Sequence, residues 1–291
     1  MSIQPDAAHP SEANPATPRS FPWGKFGLRG AAFSYLALLL IIPLLVILRD
    51  GLSAGLGEFW KEVTKPVALS ALWLTFWTAA IMTLMNAAMG ALTAYVLVRY
   101  EFAGKRLLNG LIDLPLSIPT LVTGVMLVIL FGPQEAVGAW LKSQLGISVI
   151  FAPPGIILAL LFVTFPFVVR TIQPVLLNLD LSQENAAATL GAGSWTIFRR
   201  ITFPQLILPL TTGALLSFAR AIGEFGAIII VAGNIPFFSQ TAAVYLLGEV
   251  ESENRLGASA VSIIMIAIAL GVMLLVDWLQ SRGSRARRST A

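Results

Sequence analysis

Two ionisable side chains, Arg220 and Glu224, stand four residues apart inside an otherwise apolar stretch at 205–232. The local sequence is Ser217-Phe-Ala-Arg220-Ala-Ile-Gly223-Glu224-Phe225-Gly226-Ala227. One charge at the centre of a membrane helix costs about 2.5–3.5 kcal/mol on insertion scales, so such residues face a protein interior or a water-filled path. Two roles fit the pair. Arg220 lines a path for an anion while Glu224 orients it or gates it; or the two form an internal ion pair that fixes helix packing. The second is favoured, because Glu224 cancels most of the field of Arg220. Arg before Glu at this spacing is the weaker order for stabilising a helix, so local helix support explains little. Gly223 and Gly226 permit close helix approach, and Ala219 with Gly223 gives a small-xxx-small spacing.

Other chemistry is scarce. The chain has no cysteine, and its one histidine is His9, in a polar tail. Thiolate nucleophiles, disulfides, Cys/His zinc sites and a Ser-His-Asp triad are therefore excluded. There is no GxxxxGK[ST] phosphate loop, so ATP would have to be hydrolysed elsewhere. The spans offer no metal-ligand cluster, which makes a membrane-embedded enzyme the weakest reading, and no cofactor is expected.

The elements that must carry this pair follow from composition. Of 291 residues, 56% are hydrophobic and 12% charged, with a mean hydropathy of +0.81. Soluble domains carry about twice that charge density, so lipid is the missing solvent. A helix needs about 20 apolar residues to cross the hydrocarbon core. Runs of that order predict spans at about 31–48, 70–97, 112–131, 155–177, 205–232 and 257–279. None alternates apolar with polar, as barrel strands would. The expected fold is an all-α membrane protein with six transmembrane helices. The first run is read as an uncleaved helix, not a signal peptide.

Placing both termini in the cytoplasm puts Arg19, Lys25, Arg29, Arg99, Lys105, Arg106, Arg170, Arg199, Arg200, Arg282, Arg285, Arg287 and Arg288 on the inner side. Arg49, Lys61, Lys65, Lys142 and Arg255 remain outside, and thirteen against five is the bias that inner loops carry. The pI near 9.7 reflects these clusters at span ends, so nucleic acid is not an expected partner. Residues 1–24 read as a disordered cytoplasmic tail and 281–291 as a basic cytoplasmic tail, flanking a membrane domain at 25–280. Within it, Pro115 and Pro119 open the third span, Pro166 and Pro174 should kink the fourth, and Arg170 should snorkel to the inner interface.

The inner loop at 178–204 is the one sizeable polar insertion on that side. Ser182 is a fair N-cap for an alanine-rich helix, which Gly191 and Gly193 end. Small side chains let such a helix approach a partner closely. By composition the loop is as much a solvated connection that binds nothing as a docking knob, and the resemblance that follows is what favours docking. It resembles the EAA loop of ABC importer permeases, E-A-A, three residues, Gly, nine residues, Ile-x-Leu-Pro. Ala186, Ala187, Gly191, Ile201 and Pro204 fall on that pattern, while Asn185 replaces its Glu and Phe203 its Leu. Glu184 is one step away, about 100° around a helix.

The stretch Arg220-Ala-Ile-Gly-Glu-Phe-Gly-Ala is similar to a signature of sulfate and molybdate permeases. Asp113-Leu-Pro115-Leu-Ser-Ile-Pro119-Thr120 and Phe165-Pro166-Phe167-Val-Val-Arg170 lie closer to the sulfate/thiosulfate permeases of the CysT type. The resemblance runs from about residue 31 to 277. It implies a type I ABC importer permease-like fold, with 178–204 as the loop that couples to an ATPase. It also implies a heterodimer with a second permease subunit, two ATP-binding subunits and an external sulfate-binding protein, in the inner (plasma) membrane. A molybdate or tungstate permease, or an ATP-independent anion channel, are the alternatives.

Overall fold

The computed structural model describes residues 23–288, with side chains from 27 to 281. The expected polar tail falls almost wholly outside the described residues. The chain divides into two compact units, 1–46 and 47–291. The first holds α1 (Trp23–Leu36), a π-helical turn (Ala37–Ile41) and the start of α2 (Ile42–Leu52), and its large apolar side chains, Phe33 to Leu45, are exposed.

The second unit contains α3 (Leu56–Val63), α4 (Pro66–Arg99), α5 (Lys105–Ile112), α6 (Leu114–Ser117), α7 (Thr120–Phe131), α8 (Ala136–Leu145) and α9 (Pro153–Leu177). It continues with α10 (Ser182–Thr189), α11 (Ser194–Ile197), a second π-helical turn (Phe198–Thr202), α12 (Phe203–Ile222), α13 (Gly226–Val231), α14 (Ala242–Glu251) and α15 (Arg255–Arg288). There is no strand among the described residues. Among the described residues, five helical stretches are long and apolar enough to cross a membrane, and the bent pair α7–α8 makes a sixth if it counts as one span.

The centre is a three-helix contact of α4, α9 and α12. Buried positions on α4 recur every three or four residues, through Ala71, Thr75, Ala79, Met82, Asn86, Gly90, Ala94 and Leu97, which makes one stripe along a helix. Most are small, so backbones come close. A Cβ on Gly90 would stand 2.8 Å from Val168 on α9, and one on Gly213 of α12 would stand 3.0 Å from the Val168 backbone. Polar threads cross the same interface. Asn86 donates to the Thr164 hydroxyl at 2.8 Å, and Ser217 donates to the Thr164 carbonyl at 3.2 Å. In lipid, helix association relies on such small-residue packing and interhelical hydrogen bonds.

Three features of the chain's path go beyond what the apolar runs describe. The third span is not one straight helix. Pro119 cannot donate to a helix and biases Ile118 to an extended conformation (ψ 131°), so α6 ends there and α7 begins at Thr120. At 12 residues α7 is about 18 Å long, and α8 departs from it at 60°. Arg170 is tied to neighbouring elements. Its guanidinium grips Asp113 with Nε (2.7 Å) and Nη2 (2.6 Å), and reaches the Asn109 carbonyl and side chain and Gln173. The fifth span is also broken, at Gly223–Phe225. By contrast α9 stays helical through Pro166 and Pro174.

At the end of the bundle opposite α10, α3 lays Phe59 and Val63 on Ala260 of α15, and α14 packs Ala242 and Tyr245 on Ala68 and Ala71 of α4. Burial and the neighbouring Glu249 carboxylate push the Tyr245 phenol well above its ordinary range, so it stays neutral. Gly233 (φ +75°) turns the chain after α13, as its Gly-Asn-Ile-Pro sequence predicts, and its Cα lies against the Phe151 ring.

Candidate functional site

The loop between α9 and α12 starts from an acid that caps a helix. Asp180 Oδ1 accepts the Ser182 amide at 2.9 Å and Oδ2 accepts its hydroxyl at 2.7 Å. Ser182 is thus inside the first turn, and Asp180 supplies the acceptor that the sequence assigned to Ser182. These bonds hold the Asp180 carboxyl below the usual carboxylate range, the backbone amide contributing most.

The other end of α10 is a Schellman motif. The Ala192 amide bonds the Ala187 carbonyl at 3.0 Å, and the Gly191 amide bonds Ala188 at 3.0 Å. Gly191 takes the left-handed conformation this requires (φ +85°), and a Cβ there would meet nothing within 4 Å. Its glycine therefore serves backbone geometry within this chain and leaves open space outside.

Asn185, Ala186 and Ala188 are exposed, and Leu190 and Trp195 present 88% and 72% of their surfaces to solvent. Large apolar side chains so placed on a short knob leave an exposed apolar surface. Ala187 and Ile201 are half-buried, and Pro204 sits in the first turn of α12. Glu184 turns inward, toward Arg99 and Thr202. The structure thus brings Asn185, Ala186 and Gly191 to the surface together and separates Glu184 from them.

Arg220 and Glu224 lie far along α12 from that knob. The helix ends at Ile222, and Glu224 occupies the break with 2% of its surface exposed. One carboxylate oxygen pairs with Arg220 Nη2 at 2.8 Å; the other accepts the Ala227 amide at 2.9 Å, in the first turn of α13. The acid joins two half-helices, which an unbroken-helix reading of the sequence missed. Arg220 keeps 36% of its side chain accessible. Gly226 approaches the Thr120 hydroxyl so closely that a Cβ would collide, whereas Gly223 faces open space and does not mediate packing here. No group of three or more His, Cys, Asp or Glu able to hold a metal occurs among the described residues.

A half-buried arginine beside a helix break inside an apolar bundle, with an exposed knob at the bundle's end, is the arrangement to set beside known proteins. Residues 86–285 match the family model described as "Binding-protein-dependent transport system inner membrane component". Relatives narrow the class. The probable sulfate transport system permease protein cysT of Chlorokybus atmophyticus is 40% identical over 263 residues, 90% of each chain. That of Nephroselmis olivacea is 41% identical over 247 residues, covering 85% of this chain and 87% of the relative. The sulfate transport system permease protein CysT of Synechocystis is 38% identical over 251 residues, 86% of this chain and 87% of the relative.

The chain belongs to the family of binding-protein-dependent transport inner membrane components, and within it to the CysT group of ABC permeases. Solved structures agree on the fold. A bacterial ABC transporter involved in the import of the acidic polysaccharide alginate matches with a TM-score of 0.73 at 17% identity, over 89% of this chain and 96% of that one. A bacterial alginate ABC transporter in complex with alginate pentasaccharide-bound periplasmic protein matches at 0.74 and 16%, over 89% and 94%. The protein is thus a multi-pass inner-membrane permease subunit of an ABC importer.

Proposed function

We infer that this chain carries sulfate or thiosulfate across the membrane in an ATP-driven importer. The relatives named for sulfate transport, at 38–41% identity over most of both chains, support the substrate. The observation that carries the mechanism is the exposed knob of α10, with Gly191 and Leu190 at its tip. Both termini and this knob lie in the cytoplasm in this reading, as the distribution of basic residues favours. A second permease subunit, two ATP-binding subunits and an external sulfate-binding protein complete the machine, and ATP is hydrolysed by the partners.

ATP closes the paired ATPases, which carry the knob with them. The spans rock, and the midplane opens alternately to the two sides. Glu224 cancels much of the Arg220 field, but Arg220 keeps 36% of its side chain accessible at the α12–α13 break, and on that face it offers the dianion a positive charge. Gly223 leaves room at the same place.

Radiolabelled sulfate uptake tests the assignment. Gly191→Trp is expected to abolish uptake, whereas Gly191→Asn, which tolerates the left-handed conformation, should retain part of it. Uptake unaffected by tryptophan would remove the coupling role. Normal transport by Arg220→Ala would relegate Arg220 to packing. Molybdate that competes as well as unlabelled sulfate would favour the oxyanion alternative.

A further inference from the structure

Arg99 is the last residue of α4, and its guanidinium reaches across to the loop. Nη2 lies 2.5 Å from Glu184 Oε1, and the Thr202 hydroxyl donates to the same oxygen at 2.7 Å. Both partners of the ion pair are largely buried, with 17% and 18% of their side chains exposed. One carboxylate oxygen therefore gathers the end of α4, the first turn of α10 and the turn leading into α12. An aromatic pack runs beside it. Arg99 sits 6.0 Å from the centre of the Tyr95 ring, Tyr95 meets Phe198 edge-on at 5.5 Å, and Phe198 stacks on Trp195 at 5.7 Å.

We propose that Arg99 is a positioning residue, a strut that passes displacement of the loop into α4. This rests on the reading that the loop docks on an ATPase. The eight residues of α10 are too few to hold a helix alone, and short non-helical connections flank it at 178–181 and 190–193. Without a strut, a push on the knob would bend those connections. With it, the push reaches α4, whose Gly90 is seated against Val168 of α9. Glu184 stands one step before the family pattern's acidic position. Its carboxylate faces inward and ties the loop down, whereas Asn185, at the pattern's acidic position, faces outward.

The test uses the assembled complex in vesicles and reads sulfate taken up per ATP hydrolysed, a ratio that loss of folded protein does not move. Arg99→Glu and Glu184→Arg are each expected to lower the ratio by about tenfold, because each leaves a largely buried charge uncompensated. The exchange of both charges should recover it to within about threefold of wild type, the signature of direct coupling in a double-mutant cycle. Singles that keep the wild-type ratio, or a double no better than the worse single, overturn the strut. Where a single fails to assemble, recovery in the double supports the proposal and no recovery overturns it. Cross-linking the wild-type knob to the ATPase is the accompanying control. A wild-type knob that captures no ATPase sinks the docking reading, and the strut with it, whereas good cross-linking with unaffected singles sinks the strut alone.

Discussion

Glu224 uses one oxygen for Arg220 and the other for the Ala227 amide, so its loss has two consequences. Glu224→Ala strands a cation inside the bundle and uncaps α13. Removing one member of a fully buried pair costs about 3–5 kcal/mol, and because Arg220 is 36% accessible a smaller loss is expected in the thermal unfolding of the detergent-solubilised protein. The double variant Arg220→Met, Glu224→Ala should recover part of this stability but not sulfate uptake. Recovered uptake would make the pair a packing device. The sequence showed that these residues must be internal, because their charge cannot face lipid. It did not show the break between them, since helical spacing places i and i+4 side by side whether or not the helix continues. Asp180 illustrates the same limit. Its cap geometry depends on how α9 ends, which no local pattern specified. The carboxyl is depressed by its bonds to Ser182, so the stability it gives α10 is present above its ordinary pKa and is lost as pH falls through the depressed value. Amide exchange protection at 182–185 should fall in that acid range in the wild type and show no such step in Asp180→Asn.

Helix packing is where small residues matter, and they do not all matter alike. A side chain at Gly90 meets Val168 at 2.8 Å, so Gly90→Val should destabilise by about 1–3 kcal/mol, the usual range for overpacking. Gly223→Ala adds a methyl to open space and should stay within about 0.5 kcal/mol of wild type. Thermal unfolding in detergent separates the two, and equal losses would contradict the α4–α9 packing described. Long apolar runs made α4, α9 and α15 legible, because nothing but a membrane helix satisfies that length. The α6–α7 break was not, although Pro119 was in view. A proline near a helix start is ordinarily tolerated, and only the chain's path at Ile118 shows that the helix starts after it. Nor could a sequence pattern reveal that Arg170 would find Asp113 and Asn109, since that depends on where α5 folds back.

At the scale of the molecule, the proposed six spans and the distribution of basic residues place Thr189 inside and Ser252 outside. The chain's lack of cysteine makes this directly testable. Ser252→Cys should react with a membrane-impermeant maleimide on intact cells, and Thr189→Cys only after permeabilisation. The reverse pattern would invert the topology. The strongest charges within the helical bundle come in balanced pairs, Arg220 with Glu224, Arg170 with Asp113 and Arg99 with Glu184. Work against a transmembrane voltage scales with net charge, at about 2.3 kcal/mol per elementary charge per 100 mV. Neutral pairs carried along by rocking helices contribute almost none of it. Any electrical sensitivity of uptake in energised vesicles then reports the valence of the cargo and its companions, with the carrier itself electrically silent.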